Sequence, residues 1–197
     1  MKTSIIIISV VVILLIASQL YLIMASTEIQ SYRVIKTEND FEIRIYPPVI
    51  MASVTMKAKS YKELSSSGFK KLASFIFGAN NSKANIAMTS PVHMDINNDQ
   101  SSMSFIMPAN YTRDNVPKPN DSDITIKTTD EDYVAAIQFG GFADDDKIKT
   151  YTAQLESALK ANGIEYFGTY RYLGYNAPFQ IVGRKNEIIV SVRWNKK

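Results

Sequence analysis

The 197-residue chain has no cysteine and one histidine, His93. The first absence removes disulfides, thiolate metal sites and cysteine nucleophiles. The second makes any Ser-His-Asp triad or histidine metal centre depend on His93 alone. An excess of one charge is missing too. Lys and Arg number 22 against 19 Asp and Glu, for a formal charge of +3, and no basic run exceeds the closing Lys196-Lys197. So small and dispersed a charge leaves no footprint for nucleic acid. What is present is ordinary: 46% hydrophobic and 21% charged residues suffice for a core. The length favours one domain with an appendage.

The appendage is at the start. "SIIIISVVVILLIASQLYLIMAS" follows Lys2 and carries no charge before Glu28. Ile5 to Ala17, 13 residues, has the length of a signal-peptide apolar region. Ile5 to Met24, 20 residues, is long enough for a transmembrane helix. Two readings stand: a signal peptide cleaved near Ala25, or an uncleaved N-terminal membrane anchor. In both, Lys2 stays inside and the rest is exported, either membrane-anchored facing away from the cytoplasm or periplasmic or secreted. No polar face recurs at helical spacing, which argues against a buried core helix. Residues 1–26 are therefore set apart from a folded domain over residues 27–197.

In that domain "FEIRIY" (41–46) alternates apolar and polar residues, the pattern of a half-buried strand. Pro47-Pro48 break it and "VIMASVTMK" (49–57) resumes. Ser60 with Glu63 forms a capping box, Leu64, Gly68, Leu72, Phe75 and Ile76 recur at helical spacing, and Gly78 terminates the helix. "IAMTSPVHM" (86–94) and "MSFIMP" (103–108) read as strands around a turn at "NNDQSS", followed by "DITIK" and "YVAAIQF". A second helix opens at Asp144–Asp146, where negative charge suits the helix dipole. Its inner stripe is Ile148, Tyr151, Leu155 and Leu159, and it stops at Gly163. "TYRYLGYNAPFQIVG" and "EIIVSVRW" close the chain as strands.

The two halves echo each other. Pro91 and Pro178 both follow a small residue and stand 87 positions apart, and the same shift carries Met103, Phe105 and Met107 onto Val190, Val192 and Trp194. The expected architecture is α+β: a duplicated β-α-β-β unit forming a distorted antiparallel β-barrel flanked by two helices.

"FEIRIYPP", "FKKLASFIFGAN", "IAMTSPV", "MSFIMP", "YVAAIQFGGF" and "YNAPFQIVGRKNEIIV" together resemble the SOUL haem-binding protein family, in order from Ser31 to Trp194. The resemblance implies the same duplicated fold and binding of haem or another porphyrin, for storage, buffering or transfer of the tetrapyrrole. It implies no enzyme activity. In some family members the "FEIRIY" motif holds an axial histidine; the matching residue here is Ile45, which cannot ligate iron. Others bind through a hydrophobic surface beside the first helix. On that pattern the cofactor-binding candidates are Phe69, Leu72, Phe75 and Ile76, with Met88 and Met94 nearby. Lys70, Lys71, Arg44 and Arg184 are candidate partners for the two carboxylates of a porphyrin. Binding is then non-covalent and without strong axial ligation by the protein.

Only His93 and Tyr46 enter as iron ligands of last resort. His93 and Met94 are strand neighbours and point to opposite faces. Met88, Ser90, Val92 and Met94 make the bulkier face, so His93 is expected to look into solvent. A competing function keeps the fold. The same unit resembles bacterial gyrase-inhibitor-like effector-binding domains, modules for small hydrophobic or cationic organic molecules that need a buried carboxylate, here Glu42 or Glu187. An enzyme is the weakest alternative, because acid-base work falls to carboxylates and tyrosines and no paired-carboxylate motif stands out. Asn80, Asn110 and Asn120 open glycosylation sequons in expected loops.

Overall fold

The computed structural model describes residues 2–24, 27–97 and 100–194, with side-chain surroundings for all of these except 2–5, 15 and 19–24. The cleavage point near Ala25, part of the "NNDQSS" turn and the closing lysine pair lie outside the described residues.

The apolar N-terminal run is helix α1, Lys2–Met24. Ile6 to Leu14 and Ile16, where described, are exposed. Among the described residues no helix is long and apolar enough to cross a membrane.

The rest is one layer of antiparallel sheet with two helices against it. In chain order the strands are β1 (Glu28–Ile29), β2 (Arg33–Thr37), β3 (Glu42–Tyr46), β4 (Ile50–Met56), β5 (Thr89–Ser90), β6 (Val92–Asp95), β7 (Ser101–Ile106), β8 (Ile124–Thr128), β9 (Asp132–Gly140), β10 (Tyr166–Gly174) and β11 (Lys185–Val192). Nine of them form a single sheet in the order β2-β3-β9-β11-β10-β6-β7-β4-β8, antiparallel at every pairing. The sheet coils without closing, so the expected barrel is an open, distorted one. β1 and β5 pair separately, in parallel.

Helix α2 (Tyr61–Ile76) starts where Ser60 Oγ accepts from Glu63 N–H, and Glu63 Oε2 accepts from Lys59 N–H at 2.9 Å. It ends at Phe77, followed by Gly78 with φ of +109°, the left-handed conformation that glycine adopts without Cβ strain. Helix α3 (Asp145–Ala161) is capped by Asp144, whose carboxylate accepts from Lys147 N–H at 2.8 Å. The aspartate run thus serves the helix start. α2 lies on β4 and β7, and α3 on β9, β10 and β11, both on one face of the sheet. Leu64, Leu72, Phe75, Leu155 and Leu159 bury their stripes against Ile43, Val54, Met103, Ile188 and Val190.

Two expected strands differ. Residues 86–94 break into β5 and β6 at Pro91, which offers no N–H to a ladder. "YNAPFQIVG" does not continue β10. It forms the loop Tyr175–Arg184, with Gly183 at φ of +67° just before β11. The repeat therefore holds for Met103 and Phe105 against Val190 and Val192, all on the helix side, while Pro178 stands in a loop.

Candidate functional site

Helix α2 carries most of the residues expected to form a binding surface, and its packing uses them up. Leu72, Phe75 and Ile76 are at most 1% exposed, and Met94 is buried with them in the main core. Phe69 turns edge-on to Phe105 with ring centroids 5.3 Å apart. The outer side of the helix is polar: Lys62, Glu63, Ser66, Ser67 and Lys70. Lys71 is held by Asp121 and Asp123 at 3.1 and 2.5 Å. Met88 alone of the six apolar candidates is exposed. The expected surface beside the first helix is thus a core, because the apolar stripe of an amphipathic helix is the side that the sheet covers.

Arg44 lies on the opposite face of the sheet, in a buried polar network. Its Nη1 donates to Glu187 Oε2 at 2.9 Å, its Nε donates to Glu42 Oε2 at 2.7 Å, and its guanidinium stacks 4.2 Å from the centre of the Tyr32 ring. Tyr175 donates to Glu187 Oε2 at 2.7 Å, and Lys185 Nζ stands 3.0 Å from Glu187 Oε1 as a charge contact without hydrogen-bond alignment. Glu187 is wholly buried. Burial alone would raise its carboxyl, but the hydrogen bond and charge of Arg44, with Lys185 and Tyr175, outweigh it and hold it below the usual carboxylate range. Tyr46 completes the group, pushed up to about 12 by burial and by the Glu187 charge. Two cations already match Glu187, so a cationic ligand would have to displace one of them.

His93 is 7% exposed and does not face solvent. The segment after α1 covers it: β1 pairs with β5, Gln30 N–H donates to Ser90 O at 2.8 Å, and His93 Nε2 shares a 2.9 Å hydrogen bond with Gln30 Oε1. Burial, with Arg171 and Lys127 near, pushes the imidazole down to about 3, so it is neutral at physiological pH. It lines a cavity of about 330 Å³ with Tyr46, Met51, Phe167 and Ile189. Among the described residues no group of three or more His, Asp or Glu is arranged to hold a metal ion.

The last candidate, Arg184, marks a different surface. Its Nη1 donates to Ala177 O at 2.9 Å and Gln180 O at 2.6 Å, and its guanidinium stacks 4.4 Å from the centre of the Phe142 ring. Its buried Nε–H has no hydrogen-bond partner. Arg184 thereby ties the Tyr175–Arg184 loop to Phe142 beyond β9. Around it Phe142, Phe179, Ile181 and Val182 are 51, 64, 64 and 58% exposed. Lys147 Nζ donates to Phe142 O at 2.9 Å and adds a second cation. Clustered exposed apolar side chains mark binding sites more often than isolated ones do. An apolar plate bearing carboxylates fits the chemistry of this patch: ring surface for its faces, Arg184 and Lys147 for its acid groups.

The SOUL heme-binding protein family matches residues 27–191. The chain belongs to the SOUL haem-binding protein family. It is 31% identical over 155 residues to "Heme-binding protein 1" of Xenopus laevis, covering 75% of this chain and 81% of that protein. It is 29% identical over 156 residues to human "Heme-binding protein 2", covering 75% and 76%. Among solved structures the EcmrR C-terminal domain aligns with a TM-score of 0.63 at 11% identity, over 83% of this chain and 99% of that one. A hydrolase from Listeria innocua aligns with a TM-score of 0.58 at 11% identity, over 81% and 94%. At those identities the likeness is one of fold.

In this SOUL domain Phe142, Phe179, Ile181 and Val182 are exposed apolar residues to which the sequence patterning does not point. A signal outside that patterning was present: three apolar residues within "PFQIVG" sit between Pro178 and Gly183, a poor place for a strand interior. Apolar residues in a loop cannot bury themselves against a sheet, which is what distinguishes them from the α2 stripe.

Proposed function

We propose that the domain binds haem or a related tetrapyrrole, non-covalently and without turnover, on the patch formed by Phe142, Phe179, Ile181 and Val182, with Arg184 and Lys147 facing the carboxylates. The role is storage, buffering or transfer of a sparingly soluble pigment. Membership of the family supports the ligand class, and the relatives named for haem binding agree with it. The observation that carries the location is the exposed apolar run Phe179, Ile181 and Val182 in the loop that Arg184 ties to the exposed Phe142. His93 and Tyr46 supply no iron ligand in this reading, because both are enclosed on another face of the sheet. The reading of α1 as an uncleaved anchor that holds the domain outside the cytoplasm comes from the sequence, 20 apolar residues with Lys2 before them, and not from the structure, in which no described helix is long and apolar enough to cross a membrane.

The test is a haemin titration of the full chain in lipid nanodiscs, read by the Soret band against empty discs. A saturable shift is expected. Replacing Ile181 and Val182 together by Ser should weaken it by about tenfold or more, since burying one large apolar side chain is worth about 1.5–3 kcal/mol and tenfold is about 1.4. An unchanged titration in the double variant places the site elsewhere.

A further inference from the structure

The chain leaves α1 at Met24 and is already fixed to the domain at Glu28. Glu28 Oε1 accepts from Ala109 N–H at 2.8 Å, and β1 is paired with β5 from Glu28 onward. Only residues 25–27 lie between. A chain extends at most about 3.6 Å per residue, so Glu28 stays within roughly 14 Å of the end of the helix. If α1 sits in a bilayer, the end of the domain that carries β1 and β5 has no freedom to stand far from the lipid.

The patch described above is at that same end. β6 begins just after Ser90, and its Val92 pairs with Gly174, the last residue of β10. The Tyr175–Arg184 loop starts there, and Lys185 pairs with Gly140, which leads into Phe142. Around the attachment point Ile29 and Met88 are 60 and 37% exposed. The exposed charges on the loops that precede β5 and follow Ala109 are mixed: Lys83, Arg113 and Lys118 against Asp114, with Glu28 exposed at the attachment point itself. Exposed apolar side chains beside an attachment point suit the headgroup region of a bilayer.

We infer that this end of the domain rests on the bilayer that holds α1, with the apolar patch turned toward the lipid. The inference rests on the anchor reading of α1. Its consequence is a route for the ligand: an apolar tetrapyrrole dissolved in the membrane reaches Phe179, Ile181 and Val182 without crossing bulk water. The partner is the lipid surface.

The absence of cysteine makes the test direct. Met88→Cys, Ile181→Cys and, as control, Ala161→Cys at the exposed far end of α3 are labelled with an environment-sensitive fluorophore. Each full chain is placed in vesicles of zwitterionic and anionic phospholipid containing a lipid-borne quencher, and circular dichroism checks the fold. Probes at 88 and 181 should be quenched several-fold more than the probe at 161. Equal, weak quenching at all three while the chain stays with the vesicles overturns the docking and leaves the anchor standing. A chain that carbonate washes from the vesicles overturns the anchor reading, and this inference with it.

Discussion

On the helix side of the sheet Ile43, Val54, Met103, Ile188 and Val190 meet the leucines and phenylalanine of α2 and α3, all of them apolar. At alternating positions β3, β6 and β11 turn Arg44, Tyr46, His93 and Glu187 to the other face, and these are buried as well. The first face is held by volume, and dispersion and dehydration of close-packed hydrocarbon need only shape to be right. The second combines a small apolar cluster of Tyr46, Val134, Ala136, Leu173 and Ile189 with charges held by pairing. Charges taken out of water cost several kcal/mol each unless partners stand in specific places, so Arg44, Glu187, Glu42, Lys185 and Tyr175 must be kept as a set. The apolar face tolerates exchange of one hydrocarbon for another, whereas the polar face tolerates loss of no single member.

The largest expected effect breaks the apolar face. Phe75→Ala should lower unfolding free energy by about 3–5 kcal/mol, because the wholly buried ring leaves a cavity that the sheet cannot refill. The check is denaturant unfolding followed by circular dichroism. Protein that remains folded should bind haemin as before, since Phe75 lies on the sheet-facing side of α2 and not in the loop patch.

Glu187→Gln breaks the polar face with almost no change of volume. It should cost about 3 kcal/mol, because Arg44 and Lys185 are left near an uncharged amide while Glu42 still holds Arg44. Replacing Arg44 by Met and Glu187 by Leu together should restore much of the loss, which separates an unmatched charge from lost packing. The folded carboxyl lies below its unfolded value. Its stabilisation is therefore complete at neutral pH and disappears as pH falls through the lowered value. A loss under about 1 kcal/mol for Glu187→Gln would mean that water reaches the pair and that the two faces differ less than their burial implies.

How much of this was legible depends on how far apart the deciding residues are. The ends of both helices were read from Ser60, Glu63, Asp144 and Gly78, where cap and partner are within a few positions. Ile43, Met103 and Val190 followed from alternation. Glu187 is a candidate buried carboxylate in the sequence, but its pairing with Arg44 is not legible there, because alternation assigns polar strand residues to water and their contact spans 143 positions of sequence. The coil of the sheet and Tyr32 close that face, and nothing in "FEIRIY" announces either. His93 failed in the same way: its cover, Gln30, lies 63 residues upstream. The loop patch failed for the opposite reason. Phe179, Ile181 and Val182 look like core by composition, but the turn at Gly183 leaves them outside.

His93 gives the finest test of the comparison, since it is a single titrating group on the polar face. Its imidazole is about 3 folded and about 6.5 unfolded, so between those values the unfolded chain holds a proton that the folded chain refuses. Stability is then full above about pH 6.5 and falls with acid by about 1.4 kcal/mol per pH unit until the folded value is reached. Carboxylates contribute to acid unfolding below about pH 5, so the quantity to follow is the difference between wild type and His93→Gln, whose amide cannot titrate. Between pH 6.5 and 5 that difference should shift steadily in favour of the variant. A flat difference would mean that His93 is protonated in the fold and that Gln30 and β1 do not exclude water. The same variant should leave the haemin Soret titration unchanged at pH 7.5. Its side chain sits under Gln30 on the polar face, whereas the patch around Arg184 lies in the loop beyond β10. A lost Soret shift with the fold intact would move the tetrapyrrole onto the face opposite the helices, into the cavity that His93 shares with Tyr46, Met51, Phe167 and Ile189.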